Sequence, residues 1–479
     1  MAGTLASILS QSKNPTTTSR KYFINEIQDD NGLSGNTFIN AAAVDKDGNV
    51  YTVGGYLNTS FGSYASLTKF DKNGTFIWKR SLADLNIASA QSTASCYMAK
   101  IDPHNLSVCI GINFTNTSGG QQILFARYTL EGVLVFQRSL TPPVGITAAN
   151  HRDLLDSLTV TSDGSYYGFG YTTLIDGTQN AMLTKGAISN GAVTNIRSFA
   201  DGSGASASEF FDGECDSDGN VYAIGIAKGT GLGQVGLIVK YNSAGTFQWS
   251  YNIFDSFNDI LYAIVEAHGI TIKNNILYIS GTFSNTLVNQ LSQRKMFVLK
   301  MDLDGNLLSY KTFKKNLYYN VGASSSLSID QGSIYPFGSV LDSKGNLNIL
   351  CSDGIGTVIV KLDNNLNIVN SLFLDLYGSA IAIDSNDDIF ICGGITSTSG
   401  TNGFVFKYEG SRFRPTRYTT LSDAMDVVFR SDNIVETNDI ITISTGVGTS
   451  STPSHSNAAG TLTAGTAPAL GIFTNTEYK

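Results

Sequence analysis

Short apolar runs punctuated by polar turns extend along most of the chain, and one theme recurs. It reads DKDGNVYTVGG from Asp45, DPHNLSVCIGI from Asp102, SDGSYYGFGYT from Ser162 and DSDGNVYAIGI from Asp216. It returns as KNNILYISGT from Lys273, DSKGNLNILCS from Asp342 and DSNDDIFICGG from Asp384. Each is a turn rich in Asp, Asn and Gly feeding a β-branched and aromatic strand. Equivalent positions (Asn49, Asn105, Ser165, Asn220, Asn275, Asn346, Asp388) step by 56, 60, 55, 55, 71 and 42 residues.

A second landmark keeps phase with the first. An apolar segment ends on a cation at Lys69, Arg127, Lys185, Lys240, Lys300, Lys361 and Lys407. A turn and a further strand then follow, as in DKNGTFIWKRSL and LDGNLLSYKTF. Two markers in register seven times make seven units, each of four short strands. In the first unit the strands are expected at 39–44, 50–56, 65–70 and 75–82. Gly48, Gly74, Gly164, Gly219, Gly245, Gly305 and Gly345 fall at the hairpin turns, where positive φ favours glycine.

Four antiparallel strands repeated at this period predict an all-β chain: a seven-bladed β-propeller of four-stranded antiparallel blades. The last unit lacks an obvious fourth strand, whereas RKYFINEI at 20–27 has the texture of one. The expectation is a propeller closed by this N-terminal strand, which leaves fewer free edges. The chain then divides into an N-terminal arm (1–19), the propeller (20–410) and an irregular C-terminal extension (411–479). In that extension a short helix is expected near Asp423 and a strand over Asp439–Ser444. The D-x-x-G-N-x-Y-x-x-G pattern at Asp45–Gly54 and Asp216–Gly225 resembles the SBBP class of β-propeller repeats over roughly 20–410. That resemblance implies the fold and no shared catalytic residues. Trp78 and Trp249, in G-x-x-x-W segments, are expected to pack blade on blade.

Composition sharpens this. The 479 residues include 49 Gly and only 15% charged residues, with 26 Phe and 22 Tyr to fill a core. A net charge of −8 argues against a general nucleic-acid binder, and no apolar run is long enough to span a membrane as a helix. The first 21 residues show neither a basic segment nor an apolar core of signal-peptide kind. Five scattered cysteines without a C-x-x-C pair fit synthesis in a reducing compartment, with Cys109 and Cys392 as small buried hydrophobes.

The chemistry on offer is sparse. The Asp-rich clusters at Asp45, Asp216 and Asp302 place Gly at position 4, where a calcium loop of the EF-hand kind needs it at 6, so they read as Asx turns. His151-Arg152-Asp153 lacks the context of a kinase loop, and four histidines leave little general-base material. No catalytic residue, metal site or cofactor is expected. A polar residue at the mouth of some first strands (Asn40, Asp156 and Asp212, with Asp259 loosely comparable) either faces a central channel as a cation or sugar site or ties down the neighbouring blade's loop. Loop aromatics (Phe210, Phe211, Phe257, Tyr318 and Tyr319, with Phe61, Tyr64 and Phe254) beside small polar residues suit saccharide or protein surfaces.

The leading expectation is a non-enzymatic structural and binding protein of a larger assembly, a tailed-phage virion above all, made in host cytoplasm. Residues 1–19 and 411–479 would dock to other subunits, and the loops would meet host surface glycan or protein. The alternatives are a secreted or surface bacterial carbohydrate- or protein-binding propeller, and a propeller lyase or hydrolase.

Overall fold

The computed structural model describes residues 24–27, 37–58, 62–81, 94–115, 120–140, 152–174, 177–200, 205–229, 233–255, 263–285, 294–315, 333–353, 356–374, 377–397 and 400–409, with 430–431, 434–437, 441–445 and 449–451 near the C-terminus. All regular structure among them is strand. After β1 (Ile24–Ile27) come β2 (Thr37–Val44), β3 (Val50–Asn58), β4 (Gly62–Phe70) and β5 (Phe76–Ser81). Next are β6 (Ala94–Ile101), β7 (Ser107–Thr115), β8 (Gln121–Thr129) and β9 (Leu134–Ser139). They are followed by β10 (Asp153–Val160), β11 (Ser165–Thr173), β12 (Gln179–Ala187) and β13 (Val193–Ala200). A fourth set is β14 (Ala205–Cys215), β15 (Val221–Gly229), β16 (Gln234–Tyr241) and β17 (Phe247–Asp255). A fifth is β18 (Ala263–Lys273), β19 (Ile276–Asn285), β20 (Lys295–Asp302) and β21 (Leu307–Lys315). A sixth is β22 (Tyr335–Leu341), β23 (Leu347–Ser352), β24 (Thr357–Leu362) and β25 (Ile368–Leu374). The seventh, β26 (Tyr377–Ile383), β27 (Asp388–Ser397) and β28 (Gly400–Glu409), is completed by β1, paired antiparallel to β28 with Ile24 opposite Phe406. Each set is an antiparallel meander, and the fold is all-β and propeller-like.

The repeated residues explain the repeated geometry. Asp45 Oδ1 accepts the backbone N–H of Asp47 and Asn49, while Oδ2 accepts from Asn49 Nδ2 and the Tyr51 hydroxyl. Asp216 repeats the set through Asp218, Asn220 and Tyr222. Gly48 and Gly219 hold the positive φ of these turns, at 82° and 78°. The carboxylates are thus spent on turn amides, as Asx turns require.

The in-phase cation joins one meander to the next. Lys69 Nζ donates to Leu130 O, Lys185 to Ser243 O, Lys240 to Leu303 O and Lys300 to Asn364 O, at 2.7–2.9 Å. Arg127 reaches Ile188 O at 3.0 Å. Each acceptor lies in the turn before the fourth strand of the following meander. Lys407 of the last meander donates to Lys72 O of the first at 3.3 Å. Lys69 also stands 5.1 Å over the Tyr51 ring, and Lys240 5.1 Å over that of Tyr222. Trp78 packs on Tyr51 and donates from Nε1 to Leu130 O, and Trp249 packs in the core shared by the fourth and fifth meanders. Both tryptophans join neighbouring units, as their pattern suggests.

The C-terminal extension departs from the expectation of irregularity. β29 (Arg430–Ser431), β30 (Ile434–Thr437), β31 (Ile441–Thr445) and β32 (Thr449–Ser451) pair antiparallel with β25, β21, β17 and β13 in that order. They run along the outer edges of the sixth, fifth, fourth and third meanders as an added strand. β31 overlaps the strand expected at Asp439–Ser444. The helix expected near Asp423 and the arm at 1–19 lie outside the described residues.

Candidate functional site

The first strands of the meanders pack against one another in series: β2 with β6, β6 with β10, β10 with β14, β14 with β18, β18 with β22, β22 with β26, and β26 with β2. Each carries a one-residue bulge against its second strand, and β14 has a second one between Ala205 and Ala207. The extra residue is Asn40 in β2, Tyr97 in β6, Asp156 in β10 and Phe211 in β14. It is His268 in β18, Phe337 in β22 and Ser379 in β26. A bulge re-aims side chains, and its recurrence places one residue per meander at equivalent stations.

A motif glycine makes room for this bulge. A Cβ added at Gly54, Gly170, Gly225, Gly281 or Gly393 would fall on the backbone carbonyl oxygen of Phe38, Leu154, Glu209, Glu266 or Tyr377, each two residues before the bulged one. The second glycine of the repeat is therefore a close-approach glycine. Cys351 occupies its place in the sixth meander, opposite Pro336.

The bulged stations differ in chemistry. Around β2 they are structural: Asn40 Nδ2 donates to Cys96 O at 3.0 Å, and the Ser379 hydroxyl donates to Ile39 O. In β10 the station is acidic, and it faces Glu209, two residues before the bulge of β14. Asp156 is open to water on one side and hydrogen-bonded to Glu209. Desolvation by the surrounding strands, then the Glu209 charge and hydrogen bond, push the Asp156 carboxyl well above its ordinary value. Burial also raises Glu209, against the opposing pull of the Asp156 hydrogen bond and the Lys228 charge. The pair keeps a proton at pH values where an isolated carboxyl has lost it.

Around β18 and β22 stands a network centred on Glu266. Its Oε1 accepts from Gln234 Nε2 at 2.6 Å. Its Oε2 accepts from the Tyr335 hydroxyl at 2.7 Å, an Arg294 terminal nitrogen at 2.8 Å, His268 Nε2 at 3.1 Å and Thr282 Oγ1 at 3.3 Å. Glu266 has only acceptors to offer when ionised, which assigns the Nε2–H tautomer to His268. Burial alone would raise the Glu266 carboxyl, but the donors His268, Tyr335 and Arg294 outweigh it and hold it well below the usual range. The Tyr335 hydroxyl is raised in turn by burial and by the Glu266 anion.

Aromatic rings continue from this network. Phe211 lies parallel to His268, with centroids 5.2 Å apart and planes within 2°. His268 meets Tyr335 at 4.5 Å, Tyr335 meets Phe337 at 5.5 Å, and Arg294 sits 4.9 Å over the Tyr335 ring. The outer member, Phe337, is 43% exposed. Four rings from three adjacent meanders thus form one wall, next to the Asp156–Glu209 pair and oriented by a saturated carboxylate.

Several expected site residues move. Phe210 is fully buried against Phe199 and belongs to the core, because the bulge turns it inward and its neighbour Phe211 outward. Both lie within β14 and not in a loop. Asp212 is not equivalent to Asn40 and Asp156; it follows the bulge by one residue. There it ties β10 to β18, accepting from Ser157 Oγ at 2.6 Å and from Ile270 N at 3.0 Å. Phe257, Tyr318, Tyr319, Phe61 and Asp259 lie outside the described residues. Glu266, His268, Arg294 and Tyr335 were not expected at the site. The close-approach glycine signals Glu266 alone, reached by counting back across the turn from Gly281.

Among the described residues no group of three or more His, Cys, Asp and Glu is placed to hold a metal ion. Burial pushes the Cys96 and Cys109 thiols up to about 12, which keeps them inert.

No protein-family model matches the chain, and no curated protein sequence matches it. Among solved structures it is similar to a streptogramin B lyase at 10% identity and TM-score 0.40, covering 81% of this chain and 99% of that one. It is similar to the phage phi92 endosialidase at 9% identity and TM-score 0.42, covering 86% and 74%. Drosophila Plexin A in complex with Semaphorin 1b is a third, at 11% identity and TM-score 0.38, covering 82% and 88%. Likeness at this level speaks to neither substrate nor activity.

Proposed function

We propose that the chain is a seven-bladed β-propeller, closed between its last and first blades and completed by the N-terminal strand, that binds a glycan without transforming it. The β26–β2 packing, the Lys407–Lys72 hydrogen bond and the β1–β28 pairing support closure. The observation that carries the binding role is the wall of Phe211, His268, Tyr335 and Phe337 on three adjacent blades. Flat aromatic faces beside hydrogen-bonding groups suit a saccharide, whose C–H face stacks while its hydroxyls bond laterally. In the assembly reading the ligand is a glycan of a host surface.

Two features favour binding over catalysis. Glu266 has its oxygens occupied by five donors, so it positions its neighbours and is not available as a base. Asp156 and Glu209 bond to each other, whereas glycosidase carboxyls stand about 5–5.5 Å or about 6.5–9.5 Å apart across a sugar.

Titration calorimetry of the full chain against a glycan panel tests this. One class of glycan binds, stays chemically intact, and loses roughly 3- to 10-fold in affinity with the exposed Phe337→Ala, the scale of one ring contact. A glycan held equally well by Phe337→Ala, or converted to product in an Asp156-dependent way, would sink the reading.

A further inference from the structure

The C-terminal strands keep a constant step. Arg430 lies opposite Phe373, Thr437 opposite Thr312, Ser444 opposite Asn252 and Ser451 opposite Ser198, an advance of seven residues per meander. The four receiving positions are equivalent. Phe373, Thr312, Asn252 and Ser198 each pair inward with Val358, Phe297, Leu237 and Met182, three residues before the cations Lys361, Lys300, Lys240 and Lys185. All four are buried.

The next edge in this order is that of β9. Its equivalent position is Ser139, opposite Leu124 and thus three residues before Arg127. Among the described residues β9 bonds to β8 alone, and Ser139 is only half-buried. An open strand edge is a template for a further strand. The chain continues past Ser451 with residues 452–479, and the seven-residue step reaches Ala458. The links between successive C-terminal strands contain Asp432-Asn433, Asn438-Asp439 and Gly446-Val447-Gly448; Thr452-Pro453-Ser454 follows β32 with the same turn-forming character.

We propose that the outer edge of β9 is a docking site for the chain's own residues around Ala458, antiparallel and with Ala458 opposite Ser139. The C-terminal extension is then a strap that binds a fifth meander by main-chain hydrogen bonds, and it requires nothing special of the docking side chains. This surface is separate from the aromatic wall, so the proposal holds whatever that wall binds.

The test pairs two experiments on the folded protein. In the full chain carrying Ser139→Cys and Ala458→Cys, mild oxidation gives an intramolecular disulfide at least about tenfold faster than in a control with Ser139→Cys and Ala464→Cys, since only opposed residues meet the disulfide geometry. In the otherwise native chain ended at Ser451, amide exchange at Arg138, Ser139 and Leu140 speeds up by about tenfold or more while β32 keeps its protection. Equal rates for the two cysteine pairs, a cross-link forming only between molecules, or unchanged exchange in the shortened chain would each overturn the proposal.

Discussion

Glu209 and Glu266 occupy the same station in neighbouring meanders, two residues before the bulge of β14 and of β18, with their carbonyls crowding Gly225 and Gly281. Their side chains end in opposite states. Glu209 is raised by burial and shares a proton with Asp156, whereas Glu266 faces five donors and stays ionised well below the usual range. Backbone position and burial are similar, so the partners decide. A carboxyl drawn into a first strand is an anion where hydroxyl, guanidinium and imidazole groups converge on it, and is raised by its burial where too few donors offset that cost.

The largest expected effect comes from removing the better-partnered member. Glu266→Ala leaves Arg294 without its counter-ion and strands the donors of Tyr335, His268 and Gln234. Arg294 keeps some water, so the loss comes mainly from the unpaired donors and amounts to about 1–3 kcal/mol. Urea unfolding should show that loss, and glycan binding should fall with it because Tyr335 and His268 lose their anchor. Glu209→Ala should cost far less, since it leaves Asp156 with water on one side. Equal losses for the two substitutions would erase the contrast between the stations.

The pH dependence has opposite signs at the two stations. Glu266 is depressed on folding, so its contribution is present above the unfolded value of about 4.3 and fades as pH falls towards its folded value. Asp156 and Glu209 are raised on folding, so theirs is full below about pH 4 and fades as pH climbs through their raised values. Asp156→Asn removes the competing carboxyl. It should melt at an unchanged temperature at pH 4 but above the parent at pH 8, by up to about 1 kcal/mol, the scale of an exposed charge pair. A thermal scan in which the variant matches the parent at both pH values would show that Asp156 and Glu209 do not share a proton.

What the residues revealed in advance follows from the range of the interactions. The turn aspartates, the positive-φ glycines and the in-phase cations act within one unit or on the next, so repetition exposed them. The N-terminal strand was legible because an unfilled fourth-strand position needed an occupant of matching texture. The bulge was not, since one inserted residue shifts the alternation from that point on. The inserted residue turns Phe210 inward and Phe211 outward, and it sets Asp212 one residue past the station of Asn40 and Asp156. The Glu266 network was hidden for another reason: Gln234, Glu266, Arg294 and Tyr335 are brought together by packing between units, and no short motif contains them. The C-terminal strands, only two to five residues long, draw their order from the edges they meet.

The smallest expected effect lies between the two stations. Phe211 is two residues beyond Glu209 and stacks flat on His268, itself two residues beyond Glu266, so it is the physical link between acid pair and anion network. Phe211→Leu keeps most of the apolar volume and removes the parallel face, which is worth about 0.5–1.5 kcal/mol in an aromatic pair. The loss of stability should therefore stay near the lower end of that range. A more telling readout is the His268 ring in NMR. Its chemical shifts should move with the lost ring current while Nε2 remains protonated towards Glu266, because that hydrogen bond comes from within β18. If the tautomer changed instead, the stacking ring would be holding His268 in place, and the two stations would be coupled through Phe211.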